Sequence, residues 1–339
     1  MSGSRGGQLR NTGKSHQLTG EFSRNPKTHA FINKMVSRHG FDRKTMNYVL
    51  SKAKSTAFLK RMAYKDSLPR KPKNKSTGVR AGSWAKYRGN FLTSRTINKG
   101  LQFWNANRSA LQRAEQRYGV PQEYILGIIG VETRYGENVG TNRTVDALAT
   151  MGFNNARRGA YFTSELESYL IMARRAGLDP LKPKASYAGA IGLCQFMPSN
   201  VKKYGVDHDG NGSCNLWTAA DAIGSVANYF KKHGWRTGGP VVVKALTNSQ
   251  RYKSLKWGFK SKYSLNHLKN YGVLPASRNI DRQVSLIRLG GARGEEVWLG
   301  GHNFYVITRY NHSSKYAMAV HQLAQALKQR HYGGRIAAR

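Results

Sequence analysis

The chain has 339 residues, with 56 Lys+Arg against 17 Asp+Glu, a formal net charge of +39 and a sequence pI near 10.5. With 39% hydrophobic and 11% aromatic residues it is too apolar for a disordered chain, and it is long enough to bury a large core as one elaborated domain or two or three modest ones. No run approaches the roughly 18 to 20 apolar residues that a membrane helix needs, and two cysteines, Cys194 and Cys214, exclude both a disulfide framework and a cysteine-based zinc site. The cationic surplus would attract polyanions such as nucleic acid, anionic lipid or an acidic wall polymer. Because it is spread along the whole chain, a solvated surface that tunes solubility and steering is at least as good a reading as a dedicated groove.

Residues 1–26 are rich in Gly, Ser, Asn and cations and read as a flexible basic arm. They lack the apolar stretch of a secretory signal, so either the signal is absent from this sequence or export takes another route. From "HAFINKMVSRHGFDRKTMNYVLSKA" onward, Phe31, Met35 and Val36, then Met46, Val49 and Leu50, recur at helical spacing and predict a helical pair. "PRKPKNKSTGVRAGSW" reads as a loop, and "INKGLQFWNANRSALQRAEQRYGVP" as one long amphipathic helix ended by Gly119 and Pro121. Between Pro121 and about Trp235 short helices alternate with glycine-rich loops. "PVVVKAL", "QVSLIRL", "EEVWLG" and "NFYVITRY" are then β-branched or aromatic runs that predict a small antiparallel sheet over about 240–308, and "SKYAMAVHQLAQALKQR" predicts a closing helix. The domains expected are a helical one over 27–118, joined by the C-terminal helix 313–330, then a compact α-rich core over 119–239, a β domain over 240–308 and a basic tail over 331–339.

The stretch "GIIGVETRYG" places a carboxylate, Glu132, on the helical face of Ile125, Ile128 and Ile129. Burial beside apolar groups raises a glutamate above its reference of about 4.3, which is what a general acid needs near neutral pH. A solvent-facing glutamate at the helix end, bonded to Thr133 or an arginine, accounts equally well for the spacing. Two-carboxylate glycosidases want a partner roughly 5–9.5 Å away. The nearest in sequence are Glu137, in a glycine-rich turn, and Asp146, at the start of a helix, and neither convinces. A single-acid mechanism, with a nucleophile supplied by the substrate, fits that lack.

"GIIGVETRYG", "DALATMGFNNARRGAYFTSELESYL", "SYAGAIGLCQFMPS", "NLWTAADAIGSVANYFKKHGW" and "NFYVITRYNHSSKYAMAVHQL", in this order from about Ala30 to Ala326, closely resemble the lytic murein transglycosylase B family. The resemblance implies a predominantly helical α+β fold: a lysozyme-like catalytic core with an added helical domain and a small antiparallel β domain. It implies cleavage of the β-1,4 bond between N-acetylmuramic acid and N-acetylglucosamine in peptidoglycan, without hydrolysis, leaving 1,6-anhydro ends. Glu132 matches the family's single catalytic glutamate, acting first as acid and then as base. Ser186 matches the serine beside it, and Gln195, Phe196 and Met197 match residues lining the sugar subsites. Tyr87, Arg157, Arg158, Tyr229, Tyr310, Asn311 and Tyr316 resemble cleft residues. Without the resemblance, Tyr229 reads as a core residue of its helix and the arginine pair as a solvated face.

"DHDGNGSCNLWTAAD" begins like an EF-hand loop, with Asp207, Asp209 and Asn211 at positions one, three and five and Gly212 at the sharp turn, but Thr218 stands where a bidentate Glu belongs. The resemblance implies a lengthened loop closed by Asp221, with a structural Ca²⁺ or Na⁺ on Asp207, Asp209, Asn211, the Ser213 carbonyl and Asp221. A metal-free Asx-rich turn is the other reading. No cofactor is expected for the chemistry. The partners expected are glycan strands, with anionic envelope polymers on the basic surface, and the setting is an extracytoplasmic monomer of the periplasm or envelope. Cys194 and Cys214 depart from the family's pattern, as does the charge, which adaptation to an acidic envelope or action from a phage virion would explain. A catalytically weak wall- or polyanion-binding module and a hydrolytic muramidase are the competing functions.

Overall fold

Side chains that satisfy the free amides of a first turn fix where most N-terminal helices begin. Asn25, Asp42 and Thr56 cap α1 (Pro26–His39), α2 (Arg43–Ser51) and α3 (Ala57–Ser67). α4 (Ser83–Gly89), α5 (Ser94–Ala106, capped by Thr93), α6 (Arg108–Tyr118) and α7 (Gln122–Thr133) follow. β1 (Asn142–Arg143), α8 (Thr144–Asn154), α9 (Gly159–Arg175), β2 (Lys184–Ala185), α10 (Pro198–Tyr204) and α11 (Ala219–Lys232) carry the middle of the chain. β3 (Val242–Thr247), β4 (Tyr263–Ser264), α12 (Leu265–Asn270), β5 (Val273–Pro275), β6 (Gln283–Gly291), β7 (Gly294–Gly300), α13 (His302–Tyr310) and α14 (Ser314–Ile336) complete it. The structure, a computed structural model, describes residues 17–69 and 78–336. Residues 1–16 of the expected arm, 70–77 of the expected loop and 337–339 of the expected tail lie outside the described residues.

The chain forms two compact units, 17–69 with 136–222 and 78–135 with 223–336, a division that does not follow the domain ranges expected from the sequence. In the first, α8 packs on α9 and α3, α10 on α9, and α1 on α2 and α9. Phe31, Met35, Met46, Val49 and Leu50 are buried with Leu148, Phe162 and Tyr169 in one core, as their helical spacing predicts. The end of the expected arm is not loose: Phe22 is buried edge-on against Phe153, and the Ser55 amide donates to Glu21.

In the second unit, α7 packs against α14, α5 and α6. The predicted long helix is two. At Asn107 the backbone leaves helical geometry (φ −118°, ψ 24°), and the Asn107 side-chain amide donates to the Phe103 carbonyl, a local bond that competes with the helical ladder. The sheet is antiparallel in the order β4-β6-β7-β3-β5, with Leu286 opposite Leu299 and Ile287 opposite Trp298. "NFYVITRY", read as a strand, is α13. Its buried Phe304, Val306, Ile307 and Thr308 pack on α14 and β7, so burial on a helical stripe overrides the β-branched preference. β4 and β5, too short for a periodic signal, were not predicted. The closing helix runs on through Ile336, into the expected tail.

Candidate active site

α7 is apolar on every side, and nearly all of it is buried. Glycines let it pack: a Cβ on Gly127 would stand 2.8 Å from the Val320 carbonyl oxygen of α14, and one on Gly130 would stand 2.5 Å from the Tyr135 hydroxyl and 2.7 Å from Leu323. Glu132 sits in the last turn of this helix. Beyond it Arg134 (φ 50°) and Tyr135 (φ 60°) take left-handed backbone, which costs a residue with a Cβ on the order of 1 kcal/mol. Arg134 and Tyr135 return their amides to Gly130 and Ile129, closing the helix beside the carboxylate.

Burial pushes the Glu132 carboxyl up to about 7, against the opposing pull of a hydrogen bond from the Tyr316 hydroxyl to Oε1 at 2.5 Å. Tyr316, 3% exposed, is itself held well above the ordinary phenol range, first by burial and then by the Glu132 charge. Tyr87 is raised for the same two reasons. Around this pair lies an aromatic wall. Tyr310 stacks on Tyr316 at 6.5 Å between centroids and tilts against Tyr229 at 4.7 Å, and Tyr87 leans on Trp84 and Phe91. Tyr229 is buried, as its place in a helix suggests, and its hydroxyl donates to the Arg309 carbonyl. Asn311 follows α13 in an exposed position.

The other carboxylates of this unit are all committed elsewhere. Glu115 accepts from Gln122, Glu123 from Lys328, Glu295 from Arg288 and Glu296 from the Trp298 indole, and Asp281 accepts the His302 amide. Asp146, weighed as a second acid, belongs to the first unit, where Arg143 at 2.8 Å and the Lys54 amide hold it.

The remaining candidate residues belong to the first unit. Ser186 heads a tight turn in which its hydroxyl oxygen accepts the Ala190 amide at 3.0 Å. Gln195 is the third non-glycine residue with left-handed backbone (φ 51°) among the described residues, and its amide nitrogen donates to the Gly192 and Val139 carbonyls. Met197 is half-buried, but Phe196 is 2% exposed and faces Tyr204 edge-on, so its ring is core. Arg157 is exposed and Arg158 half-buried, but neither stands free. Both reach Asp66, and the Arg158 guanidinium lies 4.8 Å from the Tyr161 and Phe162 rings. Asp66, which no motif in the sequence marks, also accepts from Asn155. Only its spacing from the hydrophobic run before it could have hinted at this role.

In the metal-like loop, carboxylate oxygens of Asp207, Asp209 and Asp221 all lie within 4.8 Å of one another. Asp221, fully buried in the first turn of α11, accepts the His208 and Asn215 amides at 2.7 Å, tying both ends of the loop to the helix. Asp207 accepts the Gly210 and Gly212 amides, and the Asn211 carbonyl oxygen the Ser213 amide. Convergent hard oxygen donors fit a cation of the calcium type. Cys194 is buried and Cys214 partly so, and neither forms a disulfide.

A helix-borne glutamate raised towards neutrality is suited to general-acid chemistry, and comparison with known proteins shows the class of enzyme to which the chain belongs. The family described as "Transglycosylase SLT domain" matches residues 23–325. Over 312 residues the chain is 49% identical to the membrane-bound lytic murein transglycosylase B of Escherichia coli K12, covering 92% of this chain and 85% of that protein. The Escherichia coli lytic transglycosylase SLT35 in complex with calcium superposes with a TM-score of 0.84 at 48% identity, over 92% of this chain and 96% of that one. The soluble lytic transglycosylase SltB1 of Pseudomonas aeruginosa gives 0.81 at 41%, over 91% and 100%. The chain belongs to the transglycosylase SLT domain family. It is a lytic murein transglycosylase acting on peptidoglycan, with the lysozyme-like, mainly helical fold and small antiparallel sheet of that class.

Proposed function

We propose that Glu132 alone carries both steps of a non-hydrolytic cleavage of the MurNAc-β-1,4-GlcNAc bond. In its acid form, which its raised pKa keeps populated up to about pH 7, it gives its proton to the glycosidic oxygen as the C1–O bond breaks. The carboxylate then takes the proton of the C6 hydroxyl on the same muramoyl sugar, whose oxygen bonds C1. The product is a 1,6-anhydro end, the glutamic acid is regenerated, and no water is consumed. The observation that carries this reading is a single carboxylate raised to about 7, held by one phenol, while every other acid of its unit is bonded elsewhere. Tyr316 keeps the carboxylate in one orientation, and the aromatic wall of Tyr310 and Tyr87 offers faces on which sugar rings stack.

In this reading Ser186, Gln195 and Met197 supply polar and soft contacts to the sugars, Phe196 supports them from the core, and Arg157 and Arg158, steadied by Asp66, meet lactyl or peptide carboxylates. Asn311 offers an amide for an N-acetyl group. Asp207, Asp209, Asn211, the Ser213 carbonyl and Asp221 would hold a structural Ca²⁺, which takes no part in the chemistry and stiffens the loop. The protein works as an extracytoplasmic monomer of the envelope, and its cations favour anionic envelope polymers. No helix among the described residues is long and apolar enough to cross a membrane. The test is clearing of purified murein by the wild type and by Glu132→Gln. Loss of activity by at least about a thousandfold with unchanged murein binding is expected. Residual activity within tenfold of wild type would move the acid role to another group.

A further inference from the structure

A groove of about 730 Å³ lies wholly within the first unit, between α1, α9, α10 and residues 212–214 in the middle of the metal-like loop. None of the residues proposed to meet the glycan lines it, although Gly212 and Ser213 of the metal-like loop contribute to its wall, and its size is that of pockets that hold small organic ligands. Lys34, His39, Arg174, Arg175, Lys202 and Lys203 line it, against a single acidic lining residue, Glu167. Glu167 is already taken by Lys34 at 2.5 Å and His39 at 2.6 Å, which with burial opposing them hold its carboxyl below the usual range. The buried Glu165 behind the groove is spent on the Ser199 amide and hydroxyl. Arg174 is fixed in place, its guanidinium 3.9 Å from the Phe41 ring centroid and donating to the His39 carbonyl. Arg175, Lys202 and Lys203 are exposed, with no acidic partner among the described residues.

Cations at helix ends have an ordinary explanation, since each C-terminus carries roughly half a negative charge. Here α1, α9 and α10 all end at the groove with basic residues in their last turns. Five full cations, Lys34, Arg174, Arg175, Lys202 and Lys203, face two carboxylates and three such termini, which leaves a surplus of between one and two positive charges before His39 is counted. Compensation of helix dipoles therefore does not exhaust them. The groove floor is apolar, with Ile171, Met172, Pro198 and Val201, a surface that suits the methyl groups of a short peptide better than a bare inorganic anion.

We propose that this groove is a second murein-binding site, one that takes the carboxylate-bearing peptide stem rather than the glycan. It rests on the reading of murein as substrate, since stems are the anionic part of that polymer. Holding a stem away from the glycan site would raise the local concentration of strand without changing the chemical step.

The test is fluorescence anisotropy with a labelled free murein stem pentapeptide, on the full chain and on Arg175→Gln/Lys202→Gln/Lys203→Gln, with the corresponding triple Glu variant as a stronger reversal. All three positions are exposed, and an unchanged melting temperature verifies folding. Saturable binding by the wild type is expected, weakened at least about tenfold in the Gln variant and abolished in the Glu variant. On stem-bearing murein the Gln variant should raise KM with kcat unchanged, and on peptide-free glycan strands it should match wild type. No saturable binding by the wild type, equal binding by the variants, or tighter binding of inorganic phosphate or DNA than of the stem at the same ionic strength would each overturn the proposal. Failure of the wild type to digest any murein would sink the glycan reading, while the anisotropy result would still decide the groove.

Discussion

In the proposed mechanism Glu132 is the residue on which the chemistry turns, and its raised pKa has consequences in two directions. Because the acid form is required first, activity should be high below about pH 7 and fall as pH rises through it. The folded state binds this proton more tightly than the unfolded chain. Stability from this group is therefore fully present below about pH 4.5 and lost as pH rises towards and past 7. Glu132→Gln should accordingly be more stable than wild type at pH 8, by roughly 1–3 kcal/mol in denaturant unfolding, and the gap should close towards pH 4.5. A gap that widens on acidification would mean the carboxylate is stabilised, not strained, by its surroundings. Tyr316 donates to the ionised form, so Tyr316→Phe should move the alkaline limb of the pH–rate profile upward by about half a unit to one unit and lower turnover roughly tenfold. A limb displaced to lower pH would contradict the assigned direction of that hydrogen bond. The sequence placed Glu132 on its apolar helix correctly, because helical spacing is local information. It could not have paired it with Tyr316, 184 positions away, without the resemblance.

At the scale of elements, α7 depends on close approach to α14. Gly130→Ala would gain about 1 kcal/mol in helix propensity but must push aside the Tyr135 ring and Leu323. A net loss of roughly 1–2 kcal/mol is expected by denaturant unfolding, with a larger proportional loss of activity, because Glu132 is two residues on. Unchanged stability would mean that α14 shifts freely, against the packing described. Asp221 is the corresponding keystone of the metal-like loop. Addition of 10 mM CaCl₂ should stabilise the wild type by about 1.5–3 kcal/mol if the site has the millimolar to submillimolar affinity of extracellular calcium modules, and Asp221→Asn should abolish the gain. Equal gains in both proteins would place the ion elsewhere. Helices were more legible than strands here. α1, α2, α8, α9 and α11 carry their apolar stripe in their own residues, whereas α13 reads as a strand because Val306, Ile307 and Thr308 favour extended backbone until α14 and β7 bury them. The break at Asn107 turns on one side-chain hydrogen bond, which no periodicity reports.

At the scale of the molecule, charge and its distribution decide what the fold can meet. The net +39 should make association with murein fall with ionic strength while turnover of bound substrate does not, a split that salt-titrated kinetics reads directly. The residues read from sequence fall in both compact units: Glu132, Tyr87, Tyr229, Tyr310, Asn311 and Tyr316 in one, and Ser186, Gln195, Phe196, Met197, Arg157 and Arg158 in the other. Composition alone gave the sign of the surface and excluded a membrane helix. It could not say that Arg157 and Arg158 are tied to Asp66, or that Arg175, Lys202 and Lys203 stand without an acid, because both depend on which helices meet. The central claim is that one carboxylate cleaves murein without water. Its most direct test is digestion of purified murein in ¹⁸O-labelled water, with mass spectrometry of the released muropeptides. The account predicts 1,6-anhydro ends with no ¹⁸O incorporated, and no release by Glu132→Gln. Reducing ends carrying ¹⁸O would contradict it and require a second acid or a bound nucleophilic water.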